Sequence, residues 1–265
     1  MPKVLHIVID GCRPDGLEQA DTPYLDSLWQ HGAYSWRAQS VMPSISLPCH
    51  STMFRGVLPE KHGTTTNVYN PATGAFPSVI DAAYKAHLHT AMFTSWGELR
   101  DLAEPPSLQM CWLRNPGYGE DNDGLTVEAA LPYITTQQPD YCFLYLGDVD
   151  IFGHGFGWMS PEYIATIESN DKLVGRLLAA LDANGLRDDY AILVQSDHGG
   201  HDKEHGTDVP EDMTTIWFVH GPGVKQGHEI QTDFDLRATP PTIAHMLGIE
   251  RLPEWDSEPV YDAFE

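Results

Sequence analysis

Positive charge is scarce in this chain. Against 38 aspartates and glutamates, its 265 residues include 15 lysines and arginines, a formal net charge of -23. Such a balance argues against a nucleic acid duplex or an anionic membrane as partner, since both call for a basic face. Cysteine is scarce too. Cys12, Cys49, Cys111 and Cys142 show neither a CxxC pair nor metal-type spacing, and they read as buried free thiols. No apolar run is long enough to cross a bilayer and no basic segment leads into an apolar signal core, so a soluble, cytoplasmic protein is expected. Internal repeats and low-complexity tracts are lacking as well.

What is present is enough apolar material, 42% of residues, for a well-buried core. Short runs rich in branched and aromatic residues recur at Val4–Ile9, His89–Thr94, Tyr141–Leu146, Tyr190–Gln195 and Thr214–Val219. Each reads as a strand buried on both faces. Between them lie helical patterns, the clearest being PEYIATIESNDKLVGRLLAALDANG, which keeps Ile164, Ile167, Val174, Leu177, Leu178 and Leu181 on one face and stops at Gly185. The alternation predicts an α/β three-layer sandwich, a mostly parallel sheet with helices on both faces. Residues 1–265 are expected to form a single domain. The stretch 97–139, rich in Pro, Gly, Asn and acidic residues, reads as an irregular, cap-like excursion from the sheet.

In such sheets ligands bind beyond the carboxyl ends of the strands. Asp10 follows the first run directly, Asp148 and Asp150 follow YCFLYL with His154 beyond them, and Asp197, His198 and His205 follow YAILVQ. One aspartate after a strand is ordinarily a turn or cap residue, and a lone histidine is ordinarily structural. Three strands delivering such groups to one edge are a different matter. Clustered Asp and His without Cys form a ligand set suited to zinc, and also to manganese or iron. Upstream, MPSISLPCHSTMF offers Ser44, Ser46 and Ser51 at a helix start, where serine is common as a cap. A serine there also meets amide dipoles that favour incoming phosphate.

The segments IVIDGCRPD, PSISLPCHSTMFRGVLPEKHG, GDVDIFGHGFG, SDHGGHDKEHG and FVHGPGVKQG occur in the order found in the alkaline phosphatase superfamily, and most resemble its nucleotide pyrophosphatase/phosphodiesterase branch. The resemblance runs from Val4 to about Gly248. It implies an alkaline phosphatase-like fold and a phosphodiesterase using two divalent metal ions. Asp150, His154 and His205 match the ligands of the first ion; Asp10, Asp197 and His198, with the nucleophile oxygen, match those of the second. Ser46 matches the nucleophile and the site of a phosphoseryl intermediate. A metal on the serine oxygen lowers its pKa, so no histidine base is required. Asn67, in HGTTTNVYNP, matches the asparagine that holds a phosphoryl oxygen.

Two divalent ions would balance three aspartates and a serine alkoxide, which suits the single charge of a diester. A phosphomonoester calls for an added guanidinium, and neither Arg13 nor Arg55 matches that clamp. Leu47 stands where nucleotide-cleaving relatives carry a base-stacking aromatic, so another diester or a phosphonate ester is an alternative substrate. A phosphomonoesterase and a sulfatase-like hydrolase of the same fold are alternatives as well, although a sulfatase carries arginine where His50 stands. A cofactor-independent phosphomutase needs an inserted domain that 265 residues do not accommodate. The alternative outside catalysis is a metal-dependent protein that binds a phosphoryl ligand, against which the intact Ser46 speaks.

Overall fold

Apolar residues that continue without a polar break demand a strand covered on both sides, and that is where the chain places them. A computed structural model describes residues 2–68, 76–115 and 121–265. Its strands are β1 (Lys3–Ile9), β2 (Ala33–Gln39), β3 (Thr90–Thr94), β4 (Met110–Leu113), β5 (Tyr141–Leu146), β6 (Tyr190–Gln195), β7 (Thr214–His220) and β8 (His228–Glu229). They form one sheet in the order β4-β3-β5-β1-β6-β7-β2-β8. β7 alone among the described strands runs against the others, pairing antiparallel with both β6 and β2. The fold is the mostly parallel α/β sandwich expected from the alternation of strands and helices.

The alternation of side chains along β1 divides the core in two. Val4 and Val8 join Tyr141, Phe143 and Leu193 under the helices Ser46–Arg55, Val79–Lys85 and Thr239–Leu247. Leu5, Ile7 and Ile9 join Leu144, Ile192 and Val194 under Pro14–Gln19, Pro23–Gln30, Asn122–Gln137 and Pro161–Ala183. Each fully buried large side chain contributes about 1.5–3 kcal/mol. The face holding Val4 also carries a buried polar chain: Thr239 donates to Gln195, whose amide donates to His6, which is bonded in turn to Tyr141. His6 is thus a satisfied core histidine, kept neutral by burial, which lowers its pKa to about 3.

The stretch 97–139 departs from expectation. After two short 3-10 turns the chain returns to the sheet: β4 pairs in parallel with β3, and Asn122–Gln137 packs Val127, Ala130 and Ile134 into the core. Polar composition concealed a βα unit, because β4 is an edge strand whose residues are half-buried or exposed. Residues 116–120 of this stretch lie outside the described residues. The thiols are free, with Cys12, Cys49 and Cys142 buried; Cys111, on the edge strand β4, is exposed, contrary to the expectation of burial. Among the described residues no helix is long and apolar enough to cross a membrane.

Candidate metal centre

Three neighbouring strands, β5, β1 and β6, end together. Ile9 lies opposite Leu146 and Val8 opposite Gln195, so the residues just past each end share one edge of the sheet. Asp10 leaves β1 there, and Gly11 follows at φ +68°, a conformation open to glycine. A Cβ on Gly11 would stand 3.1 Å from Asp150 Cβ and Oδ1, so glycine also allows the close approach of the helix Asp148–Phe156 that follows β5. The Gly11 amide donates to Asp197 Oδ1 at 3.1 Å, tying the end of β1 to that of β6.

The structure brings all seven expected ligand residues to this edge. Potential ligand atoms of Asp10, Asp197 and His198 lie within 4.8 Å of one another, and so do those of Asp150, His198 and His205. His198 Nε2 is 3.3 Å from both Asp10 Oδ1 and Asp197 Oδ2. His154 Nε2 reaches the second group at 3.1 Å from His205 Nε2 and 3.6 Å from Asp150 Oδ2. The rings of His198 and His205 stack with centroids 3.9 Å apart, so the two groups meet along one histidine face.

Ser46 begins the helix Ser46–Arg55 but does not cap it; Ile45 occupies the cap position and no side chain caps the helix. Its Oγ lies 3.0 Å from His198 Nε2 instead. Ser44 Oγ is spent on the Thr207 carbonyl, and Arg55 on the carbonyls of Phe76 and Asp101. Asn67 accepts the Leu47 amide on Oδ1 at 2.9 Å. A backbone N–H can only donate, so the oxygen of Asn67 is fixed there and its NH2 is left for another acceptor. Ser46, Asn67, Asp150 and His154 line one cavity of about 680 Å³. Leu47 is buried in the core under this helix, away from any stacking role.

Two observations test whether divalent cations fit. Asp10 Oδ1, Asp150 Oδ1 and Asp197 Oδ2 are buried without a hydrogen-bond partner, an arrangement that costs free energy unless a cation compensates. Burial, with the mutual repulsion of carboxylates, raises the pKa of Asp10 to about 8; burial raises that of Asp197 to about 7 and that of Asp150 well above the ordinary range. The histidines give the same indication. Nδ1–H of His154, His198 and His205 donates to the carbonyls of Lys203, Gly199 and Ser44 at 2.8, 2.7 and 2.8 Å. Each Nε2 therefore carries a lone pair turned to the centre, the tautomer a metal requires. Burial lowers the pKa of His198, and that of His205 to about 3, so both rings are neutral. The residues fit two divalent cations.

Several residues that support the centre have no motif signal. Tyr145 donates to Asp10 Oδ2 at 2.7 Å; its position opposite Val8 on the same strand face is a period-two signal that could have found it. Trp158 donates to the Gly11 carbonyl and sets its ring edge-on against His154 and His205. Asp148 does not face the centre although it follows β5 as Asp150 does. It exchanges caps with Asp123: Asp123 accepts the amides of Gly147 and Asp148, while Asp148 accepts the Asp123 amide and Asn122 Nδ2. The helices Asn122–Gln137 and Asp148–Phe156 are thereby joined at their N-termini.

The family model described as type I phosphodiesterase / nucleotide pyrophosphatase matches residues 4–86 and 77–215. Human ectonucleotide pyrophosphatase/phosphodiesterase family member 7 is 25% identical over 221 residues, covering 74% of this chain and 47% of the human protein. The chain thus spans about half the length of that relative. Among solved structures, murine ectonucleotide pyrophosphatase/phosphodiesterase 5 in complex with AMP superposes with a TM-score of 0.81 at 16% identity, over 96% of each chain. A phosphonate monoester hydrolase from Silicibacter pomeroyi superposes at 0.77 with 18% identity, over 98% of this chain and 76% of that one. Both show the alkaline phosphatase-like fold. With the family model covering most of its length, the chain belongs to the type I phosphodiesterase / nucleotide pyrophosphatase family of the alkaline phosphatase superfamily.

Proposed function

We propose that the chain is a phosphodiester hydrolase that works through a phosphoseryl intermediate on Ser46. The observation that carries this reading is that two carboxylate–imidazole groups share His198, whose Nε2 lies 3.0 Å from Ser46 Oγ, with three buried carboxylate oxygens unpartnered. Asp150, His154 and His205 would hold one cation, and Asp10, Asp197, His198 and Ser46 Oγ the other, both proposed to be zinc. When bound, the pair supplies Lewis-acid activation of oxygen and neutralises charge that burial otherwise makes costly.

The chain's own groups do the rest. The Ser46 hydroxyl gives up its proton to solvent, and Oγ bonds to phosphorus opposite one ester oxygen. That P–O bond breaks, and the departing oxygen takes up a proton from solvent and leaves as the alcohol. Water then enters from the vacated side and cleaves the Oγ–P bond, regenerating the serine. Asn67 donates its free NH2 to a non-bridging phosphoryl oxygen, where charge accumulates in the transition state. Tyr145 and the Gly11 amide hold Asp10 and Asp197 in place.

The test is kcat/KM for matched phosphate mono- and diesters, with metal content measured on the same sample. A diester preference that disappears in Ser46→Ala supports the reading. A strong monoester preference sinks the diesterase assignment and leaves the metal groups standing.

A further inference from the structure

The chain after β6 supplies a histidine to each ligand group, His198 close to the strand end and His205 further along the loop. Their rings stack with centroids 3.9 Å apart. Both ends of the intervening loop are tied to one residue outside the motifs: Asp212, fully buried in the short helix Pro210–Met213 just before β7.

The ties divide between its main chain and its side chain. The Asp212 carbonyl accepts the amide of Gly199, directly after His198, at 2.8 Å, and the Glu211 carbonyl accepts that of Gly200 at 2.9 Å. The approach is close, since a Cβ on Gly199 would run into the Glu211 carbonyl oxygen. Two residues past His205, the Thr207 amide and hydroxyl donate to Asp212 Oδ2 at 2.9 and 2.7 Å. Between these ends, Nδ1–H of His201 donates to Oδ1 at 2.8 Å. A carboxylate can only accept, and both oxygens are committed to donors of this loop. The loop is thus held at its start, its middle and its end.

Thr207 carries the connection onward. Its carbonyl accepts the Ser44 hydroxyl at 2.7 Å, and the Ser44 carbonyl accepts Nδ1–H of His205 at 2.8 Å. Ser44 stands two residues before Ser46. The Asp212 side chain bonds to His201 and Thr207 and to no ligand residue, yet it ties the segment holding His205 to the strand end holding His198, and through Thr207 to the approach to Ser46.

We infer that Asp212 is a positioning residue that sets His205 against His198, and with it the outer ligand group against the inner one and against Ser46. The inference rests on the two-cation part of the reading above and adds to it a residue that touches neither cation nor substrate.

Three substitutions separate this role from a general effect on folding. Asp212→Ala removes the side-chain acceptors and keeps the carbonyl that receives Gly199. Asp212→Asn can keep its oxygen on Thr207 and turn its NH2 to His201, whose ring accepts in the other tautomer. Thr207→Val loses the hydroxyl bond and keeps the amide bond. Competitive zinc titration of the full chain reads both affinities, thermal melting controls for folding, and NMR follows the nitrogen-bound ring protons of the histidines in metal-free protein. Asp212→Ala is expected to bind the outer ion roughly tenfold more weakly while the inner affinity stays within about twofold, the scale of a lost supporting bond. The His205 ring proton should exchange faster with solvent, while that of His154, held by the Lys203 carbonyl, stays protected. Asp212→Asn should recover most of the loss, and Thr207→Val should fall between the two. Wild-type affinity for the outer ion in Asp212→Ala overturns the inference. So does a parallel loss of both affinities and of melting temperature without a selective change at His205. Should Asp212→Ala not fold, Thr207→Val decides, and an unchanged outer affinity there overturns the inference. Hydrolysis of bis-(p-nitrophenyl) phosphate is followed alongside. A wild-type chain that takes two cations but leaves this diester untouched refutes the diesterase reading and leaves the role of Asp212 standing; one that takes fewer than two refutes both.

Discussion

The two ligand groups are built from different material. Asp10, Asp197 and His198 sit at the ends of adjacent central strands, and their side chains are essentially inaccessible, at 1%, 0% and 0% exposure. Asp150 and His154 instead ride on the helix Asp148–Phe156, at 15% and 42% exposure, and His205 comes from the loop after β6. The inner group inherits the rigidity of a sheet whose neighbours are fixed by ladder hydrogen bonds. The outer group is only as well placed as one nine-residue helix and its cap. A buried, strand-held set resists exchange, whereas a set at the cavity mouth gains and loses ligands more readily.

Mutation of one ligand in each group gives the largest expected contrast. Asp197→Ala removes a carboxylate from the inner group and frees the Gly11 amide. With several kcal/mol of transition-state stabilisation lost, kcat/KM for a diester should fall on the order of 10³-fold. His154→Ala, at the exposed edge, should cost roughly ten- to a hundredfold and release one equivalent of metal. Activity assays with metal analysis on the same samples check this. Equal losses would erase the distinction between inner and outer groups.

Metal removal should separate the groups in time and couple to pH. Under a chelator the outer ion is expected to leave first, giving two phases in a metal-indicator assay. In metal-free protein the raised pKa values of Asp10 and Asp197, about 8 and about 7, mean that the folded state holds protons the unfolded chain has already released. That contribution is fully present below about pH 4, the ordinary carboxylate value, and is lost as pH rises through 7 and 8. Metal-free protein should therefore melt at a lower temperature at about pH 9 than at about pH 6. Loaded protein, whose carboxylates are already ionised against cations, should show a far smaller drop. Thermal unfolding with and without chelator measures both; parallel pH curves would show that the inner carboxylates do not repel one another as their burial implies.

The same contrast explains what could be read in the sequence. Central strands such as Tyr141–Leu146 are buried at every position, so an unbroken apolar run announces them, and the polar residues that end them stand out. β2, with the sequence AYSWRAQ, exposes Arg37 and Gln39 near the outer side of the sheet and offers no such run. The ligand candidates were legible because strand ends and short motifs place them. Supporting groups were not, because they depend on where helices meet: Asp148 and Asp150 are two residues apart at one helix start, and local sequence does not reveal that one turns to the Asp123 cap and the other to the centre.

The crossed cap yields the smallest and most selective prediction. Asp123 accepts the amides of Gly147 and Asp148 at 2.7 and 3.0 Å, so it fixes the start of the helix that presents Asp150 and His154. It touches neither ligand group and contributes nothing to the inner one. Loss of a cap costs about 0.5–2 kcal/mol, which most folded chains withstand. Asp123→Ala should therefore fold, keep the affinity of the inner ion and bind the outer ion roughly tenfold more weakly, the scale of a lost supporting bond. Competitive metal titration reads the two affinities separately, and excess metal should restore most of the activity. If both affinities fell together, the outer helix would not be an independent support, and inner and outer groups would have to be treated as one cooperative centre.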